Sequence, residues 1–304
     1  MNKVDYAAFD PELRKLARLL PKGYALHRGL TIPRALMYAA GAAGRIRSVE
    51  STSVNSNVSV RIHRPPHTVE PGPAMLWIHG GGTLMGTAAQ EDRYCRKIAN
   101  FTDITVVAVE HRLAPEHPYP TPLEDCYAAL VWLAHQEWVD ADRIAVGGAS
   151  AGGGFTAAVA QRAHDRGDVP LALQLMVYPM LDDRTGNVHP QDRRVMWSAG
   201  DNQLAWQWYL DGADPIEAAP ARRVDLSGLA PAWIGVGTRD LFYDECREYA
   251  GRLRDAGVAV HEEIAEGAFH AFDLIGANAS VSQRFFASQC RALRAALVDV
   301  TTRG

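Results

Sequence analysis

The chain has 304 residues, 47% of them hydrophobic and 22% charged, with 31 basic against 35 acidic side chains. Such a composition excludes a disordered or low-complexity chain, and a slightly negative charge, read as evenly spread, argues against nucleic acid as a partner. No run approaches the roughly 18 uninterrupted apolar residues of a membrane span, so no stable membrane insertion is expected.

The first residues, MNKVDYAAFDPELRKL, lack the apolar centre of a secretion signal, which makes a cytoplasmic location the expectation. Cys95, Cys126, Cys246 and Cys290 lack CxxC spacing and fall in helical patterns, so they are expected as inert buried thiols, with no metal site. At this length one domain spanning 1–304 with an insertion is favoured over two domains.

In chain order, Asp10-Pro11 is a helix-start signal, and Leu13, Leu16, Leu19 and Leu20 form an apolar stripe ended by Pro21. Residues 48–64 read as a hairpin turned at Asn55-Ser56-Asn57. Six apolar runs follow, ending at His79, Val109, Gly148, Tyr178, Gly237 and Ile264. Most lack in/out alternation, as expected of parallel strands covered on both faces, and helical patterns separate them. With right-handed crossovers this predicts an α/β fold with a doubly wound, mostly parallel sheet.

Residues 1 to about 45 and 182 to about 225 stand outside this alternation and are expected to form a helical cap. In the second segment, residues 201–211 place Leu204 and Trp208 on one helix face and Trp206 and Leu210 on the other. One side then packs on the core. The other, with Trp197 nearby, either lines a substrate cavity or merely stabilises the cap.

The chemistry concentrates at strand ends. His79-Gly80-Gly81-Gly82 closes one strand, and Gly148-Ala149-Ser150-Ala151-Gly152 joins another to a glycine-rich helix. A Gly-x-Ser-x-Gly match is weak alone, but between a strand and a helix it predicts the sharp turn that exposes a nucleophilic Ser150. The N–H of Ala151 at the helix start, with the amides of Gly81 and Gly82, would then form an oxyanion hole. A phosphate cradle is disfavoured, since no GxGxxG spacing is present.

Ser150 needs a base and an orienting carboxylate. Among eleven histidines, His270 lies in a loop just past the last strand, whereas His79 sits beside the glycines and is expected to orient their turn. Asp240, three residues after Gly237, is the expected acid. Asp273, on the histidine's own loop, is expected to be solvated or capping. The order Ser150, Asp240, His270 is that of α/β-hydrolases.

These blocks, with Arg112-Leu113-Ala114-Pro115-Glu116-His117-Pro118-Tyr119-Pro120, Glu124-Asp125, Asp244-Glu245 and His270-Ala271-Phe272, resemble the hormone-sensitive-lipase-like family, also called the bacterial family IV esterases. The likeness runs from about residue 58 to the C-terminus. It implies an α/β-hydrolase fold with an eight-stranded, mostly parallel sheet flanked by helices, carboxylic ester hydrolysis through an acyl-serine, no cofactor, and a cap built from the two segments above. It also suggests a homodimer, with the edge strand 258–264 as a candidate contact. The sequence departs from the family at Ala149, at Glu110-His111 and at Leu241, where Asp, Asp-Tyr and Pro are usual.

The expected substrate is a small ester with a short to medium acyl chain, bound against Trp197, Trp206 and Trp208. No exposed apolar helix is anticipated that would hold the protein on an oil surface. An amidase or lactonase using the same residues remains open, as does a noncatalytic small-molecule receptor.

Overall fold

The structure, a computed structural model, describes residues 5–67, 69–186 and 195–299. Helices α1 (Arg14–Leu19) and α2 (Thr31–Gly44) precede the hairpin of β1 (Glu50–Ser53) and β2 (Ser59–His63). Then come β3 (Gly72–Ile78), α3 (Asp92–Thr102), β4 (Thr105–Glu110), α4 (Thr121–Ala134), β5 (Val139–Ala149), α5 (Ala151–Arg166) and β6 (Leu173–Val177). An insertion carrying α6 (Ala199–Leu210) and α7 (Pro215–Ala218) leads to β7 (Ala232–Gly237), α8 (Tyr243–Asp255), β8 (Val260–Ala265), α9 (Phe272–Ile275) and α10 (Ser280–Leu297).

The strands form an eight-stranded sheet in the order β1-β2-β4-β3-β5-β6-β7-β8. Only the β1–β2 and β2–β4 pairings are antiparallel. Met75 to Ile78, Val106 to Val109 and Ile144 to Val146 are wholly buried, because α3 and α10 cover one face while α4 and α5 cover the other. Continuous apolar runs suit such two-sided burial. Helix ends follow local chemistry: α4 has Pro122 in its first turn, and α5 stops at Gly167, which takes the left-handed conformation (φ 63°).

Register decides where the chemistry sits. Ile78 pairs with Gly148 and Ala149 with Val177, so β3, β5 and β6 end level with one another. The turns that follow therefore share the carboxyl edge of the sheet, where open α/β folds carry their sites.

The N-terminal segment and the insertion are tied together over that edge. The Asp201 carboxylate, at the start of α6, accepts the N–H groups of Tyr24 (2.8 Å) and Leu26 (3.0 Å), and Met196 N–H donates to the Pro21 carbonyl (2.9 Å). Arg34 of α2 donates to the carbonyls of Leu84 and Ala114 and pairs with Glu116. Parts of the expected cap, residues 1–4 and 187–194, lie outside the described residues.

Leu19 is 74% exposed, because the buried side of α1 centres on Leu13 with Ala17 and Leu16 on either flank, and Leu19 lies beyond Leu16, turned toward water. An apolar outward face does exist: α2 exposes Ile32, Leu36 and Tyr38, since its single charged residue, Arg34, is drawn inward by Glu116.

Candidate active site

Ser150 occupies the bend between β5 and α5 with φ 58° and ψ −121°, a conformation L-residues adopt at a cost of about 1–3 kcal/mol. Surrounding backbone holds it there. Its N–H donates to the Val177 carbonyl (2.9 Å), and its own carbonyl accepts from Gly154 (3.0 Å) and Met180 (3.0 Å). The side chain thus stands at the sheet's carboxyl edge rather than continuing strand or helix.

Beside it runs the glycine turn. Gly81 (φ 127°) and Gly82 (φ 62°) have left-handed backbones, and a Cβ would overlap the Met85 carbonyl at the first and the Trp197 ring at the second. The N–H groups of Gly81, Gly82 and Ala151 make no hydrogen bond with other described residues. Unsatisfied amides at a helix start and a tight turn suit a developing negative charge. His79 fixes the turn from behind: its Nδ1 lies 2.8 Å from the Gly80 carbonyl oxygen, and its ring stacks on His111 at 4.3 Å. Burial, then the neighbouring His79 ring, pushes His111 down to about 3, so at neutral pH it is an uncharged plate.

The loops after β7 and β8 are stitched together. Thr238 N–H donates to the Ala265 carbonyl (3.0 Å), Arg239 N–H to that of Ala268 (2.9 Å), and Gly267 N–H to Thr238 Oγ1 (2.8 Å). This brings His270 Nδ1 to 2.8 Å from Asp240 Oδ2 and His270 Nε2 to 2.9 Å from Ser150 Oγ. Asp240 Oδ1 accepts the Phe242 N–H (3.0 Å), which leaves Oδ2 for the ring. With Nδ1–H given to the carboxylate, Nε2 is free to accept the serine proton. All three side chains are buried.

Sequence reasoning missed what positions the imidazole. Tyr178 and Phe242 meet it edge-on, at ring-centroid distances of 4.9 and 5.2 Å. Their only signal was position, at the end of a strand and two residues past the acid. Of the two roles expected for Asp273, the solvated one fails: it is buried in the first turn of α9 and accepts the Tyr178 hydroxyl at 2.9 Å. Burial, reinforced by the charge of Glu91, raises its carboxyl to about 6. Glu91, another unforeseen buried acid, is itself raised by burial and lines the cavity at Ser150.

That cavity measures about 90 Å³ and is walled by the glycine turn, Tyr24, Met37, Met196, Trp197 and Leu274. Trp206 lies elsewhere, with Phe155 and Tyr209 around a crevice of about 10 Å³ beside Ala151. Trp208 is half-buried and lines neither space. A larger hollow of about 620 Å³, walled by Arg34, Glu110, Arg112 and His117, does not reach Ser150. The Arg112 block is structural, with Arg112 Nε and Nη2 gripping Asp125 at 2.9 and 2.7 Å.

Residues 75–274 match the family model described as alpha/beta hydrolase fold. Carboxylesterase NlhH of Mycobacterium tuberculosis is 34% identical over 94% of this chain and 97% of its own length. Ethyl acetate hydrolase of Pseudomonas putida is 33% identical over 74% of each. Among solved structures, a bacterial heroin esterase superposes with a TM-score of 0.85 at 36% identity, covering 96% of this chain and 99% of its own. The chain therefore belongs to the α/β-hydrolase-fold family, resembles its hormone-sensitive-lipase-like esterases, and is a serine carboxylesterase.

Proposed function

We propose that Ser150 is the nucleophile, His270 the general base and then acid, Asp240 the carboxylate that orients it, and the amides of Gly81, Gly82 and Ala151 the oxyanion donors. The buried relay from Ser150 Oγ through His270 to Asp240, at 2.9 and 2.8 Å, carries this reading. His270 takes the hydroxyl proton as Oγ bonds to the ester carbonyl carbon, and the oxyanion is held by the three amides. Collapse breaks the bond to the alkoxy oxygen, which leaves with the proton from Nε2 as the alcohol. Water, deprotonated by His270, then attacks the acyl-serine and releases the acid. Asp240 stays ionised throughout and favours the charged imidazole.

A cavity of about 90 Å³ supports short acyl groups, as does the ester named for the Pseudomonas putida relative. Trp197 bounds the acyl space, Trp206 lines a separate crevice beside Ala151, and Trp208 supports the cap. We read the chain as one domain with a lid from residues 1–45 and 182–225, in line with the ties at Asp201 and Arg34. Four buried, unbridged thiols favour a cytoplasmic address. β8 ends the sheet order and offers an edge through which two copies could pair.

The test is a series of chromogenic esters from acetate to dodecanoate, run on wild type and Ser150→Ala. Turnover should peak at or below about eight carbons and fall by about 10⁶ in the variant. A preference for the longest chains, or an active Ser150→Ala protein, contradicts the reading.

A further inference from the structure

The outward face of α2 carries no charge. Ile32, Leu36 and Tyr38, exposed at 73%, 63% and 70%, share one arc with the exposed Ala35, Ala39 and Ala42. Arg34 instead reaches inward, to the Leu84 carbonyl and Glu116. A helix set with its apolar side toward water is the inverse of an ordinary surface helix and marks an interaction face.

Charge along the chain on either side of it is one-sided, although Glu110 and Glu116, from another part of the fold, border the helix beside Tyr38. Between positions 13 and 47 the chain holds eight Arg and Lys and no Asp or Glu, although its formal charge is −4 overall. The even spread anticipated from composition therefore fails at this point. Lys15, Arg18, Arg28, Arg45 and Arg47 of this stretch are exposed.

We infer that this face docks on an anionic lipid surface, with α2 lying in its plane. An apolar outward side flanked along the chain by basic residues is the pattern of helices that bind at the headgroup boundary. Fourteen residues make a cylinder about 21 Å long, enough to lie in an interface and too short to cross one. A second copy is the poorer occupant, because self-pairing would set two wholly basic segments against each other. An anionic headgroup layer matches them instead, each exposed cation adding about fivefold to binding. Met37, on the inward side of the same helix, lines the cavity at Ser150, so docking sets that cavity one helix diameter from the lipid. The attachment does not depend on Ser150 being the nucleophile.

The experiment is co-sedimentation of the full chain with phosphatidylcholine vesicles and with vesicles of equal parts phosphatidylcholine and phosphatidylglycerol. Wild type should pellet with the second, at least tenfold more than with the first, and less so in about 1 M salt. Ile32→Glu/Leu36→Glu and Arg28→Glu/Arg47→Glu should each lose binding at least tenfold while hydrolysing a soluble acetate ester like wild type. Wild type left in the supernatant, equal binding to both vesicles, or variants that pellet as before would overturn the proposal. So would ultracentrifugation showing a dimer that Ile32→Glu/Leu36→Glu converts to monomer, since α2 would then cover a second copy.

Discussion

Gly152, in the first turn of α5, lies directly against the Ile78 carbonyl at the end of β3, so close that a Cβ at Gly152 would overlap that oxygen. The serine turn and the glycine turn are thus in backbone contact. The distance from the proposed nucleophile to the proposed oxyanion amides is set by main chain rather than by adaptable side chains. Gly152→Ala should push the turns apart, and a misplacement near 1 Å costs about 10² in rate. Steady-state kinetics should show kcat reduced at least that much with the circular dichroism spectrum retained. Unchanged kcat would mean that the contact does not set the geometry.

Trp197 packs on Gly82 and closes the cavity, whereas Trp208 borders no part of it. Trp197→Ala should therefore shift the acyl preference toward longer esters, by up to about fourfold per added methylene that the new space accepts. Trp208→Ala should leave the chain-length profile where it is and lower the melting temperature. Profiles across the ester series separate the two. A shift in Trp208→Ala equal to that in Trp197→Ala would reassign the acyl wall.

Asp273 makes stability depend on pH in an unusual direction. Its carboxyl, raised to about 6 by burial and the nearby Glu91 charge, still holds a proton in the folded state at pH values where the unfolded chain, near 3.8, has lost it. Its contribution is thus complete below about pH 4 and is lost as pH climbs through 6. Asn at this position keeps an acceptor for the Tyr178 hydroxyl without the ionisation. Asp273→Asn should gain on wild type between pH 4 and 6, by at most about 3 kcal/mol. Urea unfolding across pH 4 to 8 measures the gap, and a constant difference would show that Asp273 does not titrate in this range.

His63, the buried last residue of β2, acts with the opposite sign. Burial, only partly offset by Asp92, pushes it down to about 4, so wild type should lose stability as pH falls below about 6.5, where the unfolded histidine takes a proton. His63→Gln should flatten that acid limb in the same urea series. An acid limb as steep in the variant as in wild type would place the proton uptake elsewhere.

The sheet was legible because its strands are short apolar runs between turn residues, and runs such as Val106 to Val109 have no other favourable environment. Ser150, Asp240 and His270 were legible for a related reason: each follows a recognisable strand within a few residues, so the topology alone delivers them to one edge. Side-chain direction was harder. Trp206 and Trp208 sit two residues apart on one helix, yet only Trp206 reaches the space beside Ala151. Asp273 reads as a surface acid until Tyr178, far away in sequence, is found against it. The outward face of α2 escaped notice because its apolar spacing is that of any buried helix; what reverses it is Arg34, captured by Glu116 across the fold.

In the proposed mechanism one serine, activated by His270, forms the acyl intermediate. The decisive measurement is incubation of the protein with an aryl organophosphonate, followed by mapping of the adduct by peptide mass spectrometry. One adduct per chain is expected, on the peptide carrying Ser150, abolished in Ser150→Ala and slowed at least 10³-fold in His270→Ala. An adduct on another residue, or labelling of Ser150 at an undiminished rate without His270, would contradict it.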